Sequence, residues 1–221
     1  MKKGLLITLE GPEGCGKTTQ SELLYNYLRS KSFSTIKTRE PGGTKVGEDI
    51  RNILLNSDYK NIDFLCEFLL YNAARAQLLK EVIKSSLESG KIVICDRFLD
   101  ATLAYQGYGR GIKKKVIFTL NKIVLGNLLP DLTLTFDLNP EEGLKRALKA
   151  KKNTHDRLEQ ESFFFHQKVQ QGYLKIAKVY PERVKLILAD KSIEEVHKVV
   201  CSYVDKLIEK CRPGRITTNE D

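Results

Sequence analysis

The sequence predicts an α/β fold in which a five-stranded parallel sheet carries helices on both faces, and three features point to it. Runs rich in Val, Ile and Leu recur at residues 5–9, 92–95, 132–138 and 184–188, with a weaker one at 33–38. They lack polar alternation, as strands buried on both faces do. Helical periodicity fills the intervals, near 17–31, 46–56, 62–89, 113–128, 141–150, 160–179 and 192–210, and strands separated by helices run parallel. The third feature is Gly11-Pro12-Glu13-Gly14-Cys15-Gly16-Lys17-Thr18, which lies between the first apolar run and the first helical pattern.

Each strand end then delivers something chemical, and ligands of such sheets bind at the carboxyl ends. After Leu9 comes the G-x-x-x-x-G-K-[ST] pattern of a P-loop. Glycines without a Cβ let the backbone turn several N–H groups inward as an anion nest, and the following helix N-terminus adds about half a positive charge. Lys17 can reach β- and γ-phosphates and the Thr18 hydroxyl can ligate Mg²⁺, so Gly11 to Thr18 predict a nucleoside triphosphate site. After Thr38 comes Arg39-Glu40-Pro41-Gly42-Gly43-Thr44, and after Cys95 comes Asp96-Arg97. A carboxylate and a guanidinium at a strand end suit Mg²⁺ handling and charge clamping in phosphoryl transfer to a substrate rather than to water. For Asp96 the alternative is a simple helix N-cap. Asn121-Lys122-Ile123-Val124 lacks the Asp of a guanine-reading motif, which argues against a GTPase. Gly107, Gly109 and Gly111 read as a loop wrapped close to a ligand.

Composition narrows the class. The net charge of +9 is spread along the chain, with one dense group at 145–152, and no basic patch carries interleaved exposed aromatics. It fits nucleotide phosphates better than a polynucleotide, so no nucleic-acid partner is expected. Five scattered cysteines without C-x-x-C spacing read as reduced thiols. No apolar run approaches the ~18 residues of a membrane span, and Met1-Lys2-Lys3-Gly4 leads straight into a strand, so a cytoplasmic protein without a membrane partner is expected. Residues 1–211 read as one domain and 212–221 as a disordered tail.

Taken together, Gly11-Pro12-Glu13-Gly14, Arg39-Glu40-Pro41-Gly42-Gly43-Thr44, Asp96-Arg97-Phe98, residues 104–111 (AYQGYGRG) and Asp156-Arg157-Leu158-Glu159-Gln160-Glu161 closely resemble the bacterial thymidylate kinase family over roughly residues 4–208. The resemblance implies a nucleoside monophosphate kinase-like fold of the P-loop class. It also implies transfer of the γ-phosphoryl of ATP to dTMP, Mg²⁺, and a homodimer. By motif, Lys17, Asp96, Arg97 and Arg157 are the catalytic candidates, with Thr18 and Asp96 facing Mg²⁺. For dTMP the resemblance implies that Glu13 accepts from the sugar 3′-hydroxyl, that Arg39, Arg51 and Arg97 face the phosphate, and that Tyr105 closes on C2′. It further implies that Tyr71 stacks on thymine and that Arg75, Thr102 and Gln106 read its edge. Arg51 could instead be a solvated helix charge, and Tyr71 one more apolar residue of its helix. Family members usually carry Phe where Tyr71 stands. Gly14 occupies the position where some members have a P-loop Arg, so charge must come from a lid at about 146–160. Arg146 and Lys145 to Lys152 supply candidates there, Asn153-Thr154 a hinge, and Arg157 the residue expected to close on the phosphates. The long helix near 62–87 is apolar on more than one face and can meet both the sheet and a second subunit.

Overall fold

The structure, a computed structural model, describes residues 4–150 and 156–211. The expected hinge at Asn153-Thr154, Lys151, Lys152 and the tail 212–221 lie outside the described residues. Five parallel strands, β1 (Leu5–Glu10), β2 (Thr35–Arg39), β3 (Ile92–Asp96), β4 (Leu132–Asp137) and β5 (Val184–Leu188), form a sheet in the order β2-β3-β1-β4-β5. The predicted fold class and all five strands are therefore present.

Successive side chains of the inner strands alternate between two apolar faces, which is why the sequence shows no polar alternation. Ile7, Leu9, Ile94 and Leu134 pack with Leu24 and Leu28 of α1 (Lys17–Ser30) and Val200 and Val204 of α9 (Ile193–Cys211). Leu6, Val93 and Cys95 face the opposite way, against Leu78, Ile83 and Leu87. Only the edge strands β2 and β5 are partly exposed, with Lys37 and Lys185 on them, and β2 is accordingly the weak apolar run.

Asp96 is in register with both Leu9 of β1 and Arg39 of β2. The chain thus leaves three adjacent strands at one level, and the P-loop, Glu40 and Arg97 emerge side by side. Capping fixes the next helices. Thr44 accepts from the Gly47 N–H at 3.0 Å to start α2 (Lys45–Leu55), and Asp63 accepts from Leu65 and Cys66 to start α3 (Phe64–Leu78). The helix predicted near 62–89 continues from α3 through a π-helical stretch, Leu79–Ile83, into α4 (Lys84–Glu88).

One expectation is corrected here. Residues 103–109 are no loop: α5 (Leu99–Thr102) runs on into π-helical turns at Leu103–Gly109. The glycines serve helix packing instead. A Cβ on Gly109 would stand 2.6 Å from the Phe165 ring of α8 (Phe163–Val179), and one on Gly107 3.0 Å from Ile117 of α6 (Lys114–Leu125). Gly111, at φ 81°, makes the turn that ends this segment.

Candidate active site

At the strand ends lies a cavity of about 550 Å³, and the P-loop forms one end of it. Gly11, Gly14 and Gly16 adopt φ of 141°, 66° and 87°, conformations in which a side chain would be strained. Lys17 Nζ donates to the carbonyls of Gly11 at 3.0 Å and Pro12 at 2.6 Å, so the ammonium sits over the mouth of the loop. Thr18 Oγ1 donates to Asp96 Oδ2 at 2.9 Å, which joins the start of α1 to the end of β3.

Gly14 also explains how the loop meets the next helix. A Cβ there would lie 1.9 Å from the Gly143 carbonyl of α7 (Pro140–Ala150), and one on Gly143 2.4 Å from the Glu13 carbonyl. Two glycines are what let the first turn of α7 touch the P-loop. Arg146, one turn further along, consequently lines the cavity, held by Glu142 at 3.0 Å and the Ala189 carbonyl at 3.1 Å.

The middle of the cavity is organised by Arg97, a non-glycine residue at φ 69°. Its backbone N–H bonds the Leu9 carbonyl, and its guanidinium donates to the Gly11 carbonyl, Tyr173 Oη and Glu13 Oε1, at 3.1, 3.3 and 3.1 Å. The Tyr105 ring stacks 4.8 Å beneath it, and the Tyr105 hydroxyl donates to Glu13 Oε1 at 2.6 Å. Burial alone would push the Glu13 carboxyl up. The neighbouring His166, 3.5 Å from Oε2, together with Arg97 and Lys17, outweighs burial and brings it to about 2. Glu13 is therefore an anion, and among the described residues its Oε2 has no hydrogen-bond partner. Behind this knot Glu10 accepts from the Phe98 and Ala101 N–H groups and from Tyr173 Oη. Burial, helped by nearby Asp100, raises its carboxyl to about 8.

The far end is walled by ion pairs out of water. Arg75, 1% exposed, donates through Nε and Nη2 to Glu40, and through Nη2 to the Phe98 carbonyl and Thr102 Oγ1. Its Nη1 is held less tightly, 3.3 Å from Asn121 and 3.5 Å from Asn72. Glu67 accepts from Gln106, Arg110 and Arg157. Tyr71 lines the cavity between these clusters, with Arg51, whose guanidinium bonds the Pro41 carbonyl at 3.0 Å, and Arg39, paired with Glu48.

A family model described as thymidylate kinase matches residues 9–200. The chain belongs to that family. It is 44% identical to the thymidylate kinase of Clostridium novyi over 204 residues, which is 92% of this chain and all of that one. It is 48% identical to that of Halothermothrix orenii over 199 residues, 90% of this chain and 95% of the relative. The crystal structure of thymidylate kinase from Ehrlichia chaffeensis superposes with a TM-score of 0.75 at 37% identity, covering 91% of this chain and 99% of that one.

In this member of the thymidylate kinase family one continuous cavity is lined by Glu13, Gly14, Gly16, Lys17, Thr18, Arg39, Arg51, Tyr71, Arg75, Asp96, Arg97, Thr102, Tyr105 and Gln106. The expected site residues are thus brought together, except that Gly11, Pro12 and Cys15 form the loop behind its lining, and Arg157 is elsewhere. That residue requires correction. The Arg157 guanidinium donates to Glu67 Oε2 at 2.5 Å and to the Leu54 carbonyl at 3.0 Å, and it does not line the cavity. Its buried charge is drawn to the carboxylate of α3, and Arg146 of α7 is the arginine that lines the cavity. Sequence reasoning assigned no role to Glu40, Glu67, His166 or Tyr173. Glu67 left a signal: it lies four residues before Tyr71 and eight before Arg75, so one helical stripe carries all three, and it is the single charge in an otherwise apolar stretch at 64–71.

Proposed function

We infer that the chain transfers the γ-phosphoryl group of ATP to dTMP, giving dTDP. One observation carries this reading: a triphosphate cradle and a buried, polar, aromatic-walled recess share one cavity, with Arg97 between them. Phosphoryl transfer asks the protein for little covalent chemistry. It requires two nucleotides held in line, positive charge spread over the transferring group, and exclusion of water.

At the ATP end the backbone N–H groups of residues 13–18 and the Lys17 ammonium take the phosphates. Thr18 and Asp96, 2.9 Å apart, offer hard oxygen ligands that fit Mg²⁺, and among the described residues no group of three His, Cys, Asp or Glu side chains competes as a metal site. When bound there, Mg²⁺ neutralises charge on the phosphate oxygens. Arg146 adds positive charge from α7. At the acceptor end Arg97 clamps the dTMP phosphate and reaches the transferred group, with Arg39 and Arg51 beside it. Glu13 Oε2 accepts from the 3′-hydroxyl, and the Tyr105 ring packs on the sugar, leaving a 2′-hydroxyl no partner. Tyr71 stacks on the base. Arg75 Nη1 and the Thr102 hydroxyl, whose oxygen already accepts from Arg75, are the donors for a pyrimidine carbonyl, and Gln106 meets the ring N3–H.

Two copies pair through the outer face of α3, where Phe64, Leu65 and Leu69 are 48%, 51% and 49% exposed and continue onto Ile53 of α2. Light scattering checks this, and a clean 25.2 kDa species rules it out. No helix among the described residues is long and apolar enough to cross a membrane, and the enzyme acts in the cytoplasm. A coupled assay with ATP and a panel of nucleoside monophosphates tests the activity. Turnover of dTMP above all others is expected; consumption of ATP with dTMP left untouched overturns the reading.

A further inference from the structure

The Glu67 cluster does something for the base end that a structural ion pair alone would not. Glu67 is fully buried in α3, and its Oε1 accepts from Gln106 Nε2 at 2.9 Å and Arg110 Nε at 3.2 Å, while Oε2 accepts from Arg110 Nη2 at 3.0 Å and Arg157 Nη2 at 2.5 Å. Burial raises a carboxyl, but hydrogen bonds from Arg110 and Gln106 and the Arg110 charge outweigh it and hold Glu67 below the usual carboxylate range. It is an anion and can only accept. A primary amide facing it has one stable orientation, with the NH₂ toward the carboxylate, because the reversed amide would set its carbonyl oxygen against a negative charge. The Gln106 carbonyl Oε1 accepts no hydrogen bond from the described residues, and Gln106 forms part of the cavity wall.

We propose that Glu67 is a positioning residue for base selection: it locks the Gln106 amide so that an acceptor, never a donor, faces the pyrimidine edge. This rests on the base-end reading above. Four residues earlier in the same cavity wall stands the Thr102 hydroxyl, which accepts from Arg75 Nη2 at 2.8 Å and has its O–H to donate. An acceptor and a donor in one wall match the N3–H and C4 carbonyl of a 4-oxo pyrimidine. A 4-amino pyrimidine presents the reverse order, N3 as acceptor and the amino group as donor, and meets a mismatch at both places. Flipping the amide would relieve half of that mismatch, and Glu67 prevents the flip. Arg110 and Arg157 keep the carboxylate charged, and Arg110 also pairs with Glu161 at 2.7 Å, so the segment after the lid holds the selector in place.

The test compares kcat/KM for dTMP and dCMP. In Glu67→Gln either end of residue 67 can meet either end of Gln106, so the dTMP-to-dCMP ratio should fall about ten-fold or more, through KM, while kcat for dTMP stays within about three-fold. Arg110→Gln weakens the same cluster but leaves Arg157, 2.5 Å from Oε2, to hold the Glu67 charge, so its melting temperature should drop while the ratio stays within about two-fold. Gln106→Met should lower the ratio as well. If Gln106→Met leaves the ratio unchanged, the base-end reading itself fails. If it lowers the ratio but Glu67→Gln does not, only the role of Glu67 fails. The wild-type protein gives a reading that needs no folded Glu67 variant. The Gln106 side-chain amide, assigned in ¹⁵N spectra by its loss in Gln106→Met, should show one proton slowed in solvent exchange before any dTMP is added. Protection that arises only with dTMP means that the nucleotide, not Glu67, orders the amide, and the proposal is wrong.

Discussion

The two ends of the cavity are built on opposite principles. At the phosphate end the polar groups are exposed or paired without a buried counter-charge: Lys17, though buried, rests on backbone carbonyls and Cys15 Sγ, Thr18 is exposed, and Arg39 pairs with Glu48 at the surface. At the base end Glu40 with Arg75, and Glu67 with Arg110 and Arg157, are sequestered from water and bonded on nearly every side. A phosphate end must release its cations to a ligand whose charge changes during reaction. A base end must keep one shape, since a pyrimidine is told from its relatives by hydrogen-bond order. On the proposed reading, groups free of buried counter-charges serve turnover, and charges locked in buried pairs serve recognition.

Arg97, half-buried and placed between the two ends, carries the largest expected effect. Arg97→Ala is expected to lower kcat about 10³-fold or more, the scale of arginine contributions in related phosphoryl transfers, with a modest change in dTMP affinity. Steady-state kinetics with ATP saturating decide it, and a near-wild-type kcat removes Arg97 from the chemistry. Next comes Arg75. Arg75→Met leaves Glu40 buried and uncompensated, and should cost about 3–5 kcal/mol of stability in urea denaturation. A loss under about 1 kcal/mol would mean that Glu40 recruits other partners or protonates freely.

Arg146 and Arg157 lie eleven positions apart yet are assigned to opposite ends. Arg146→Ala should reduce kcat about 10- to 100-fold with little change in melting temperature, since it removes charge from the phosphate end. Arg157→Ala should lower the melting temperature and leave kcat nearly intact, because its guanidinium serves Glu67. The reverse pattern would restore Arg157 as the residue that closes on the phosphates.

A smaller effect tests the floor between the ends. Burial raises the Glu10 carboxyl to about 8, so across the interval from about 4.5 to 8 the folded protein holds a proton that the unfolded chain has released. More protons bound when folded means that stability falls as pH rises through that interval. Glu10→Gln, which copies the protonated form, should flatten the decline by about 1 kcal/mol or more between pH 5 and pH 8 in urea midpoints. Glu13, held down at about 2, has the opposite sign: its contribution is present above the ordinary carboxylate range and is lost only as pH falls toward 2. A Glu10→Gln curve parallel to wild type would show that the carboxyl ionises normally in the fold.

The sequence was most readable where function is contiguous. Eight consecutive residues describe the P-loop, because its anion nest is made by backbone and its glycines have no substitutes. The buried end was less readable, because its logic is distributed: Glu40, Glu67, Thr102 and Gln106 come from four segments, and which donor meets which acceptor depends on packing. Gly107 and Gly109 were misread as loop residues for the same reason. Glycine there relieves contacts with Phe165 and Ile117, neighbours remote in sequence or on another helix, and that use looks identical to a turn when read locally. Arg157 was misassigned because an arginine between acidic residues carries no mark of which carboxylate it will choose. Conversely Gly14, read as a missing arginine, proved to be a contact surface for Gly143 that carries Arg146 to the cavity.

The smallest expected effect is at Tyr71, where this chain departs from the phenylalanine usual in the resemblance. The Tyr71 ring lines the cavity, and among the described residues no hydrogen bond from its hydroxyl accompanies those that lock the neighbouring Arg75 and Gln106. Burial, then the nearby Glu67 charge, raises this phenol far above the physiological range, so it is neutral wherever the enzyme works. Stacking depends on the ring face, which Phe supplies equally. Tyr71→Phe should therefore hold kcat/KM for dTMP within about two-fold, while Tyr71→Ala, which removes the stacking surface, should lower it by about ten-fold or more, in keeping with base stacking of about 1–3 kcal/mol. A large loss in Tyr71→Phe would give the hydroxyl a role in recognition, and the base end would then owe part of its selectivity to a group its buried ion pairs do not control.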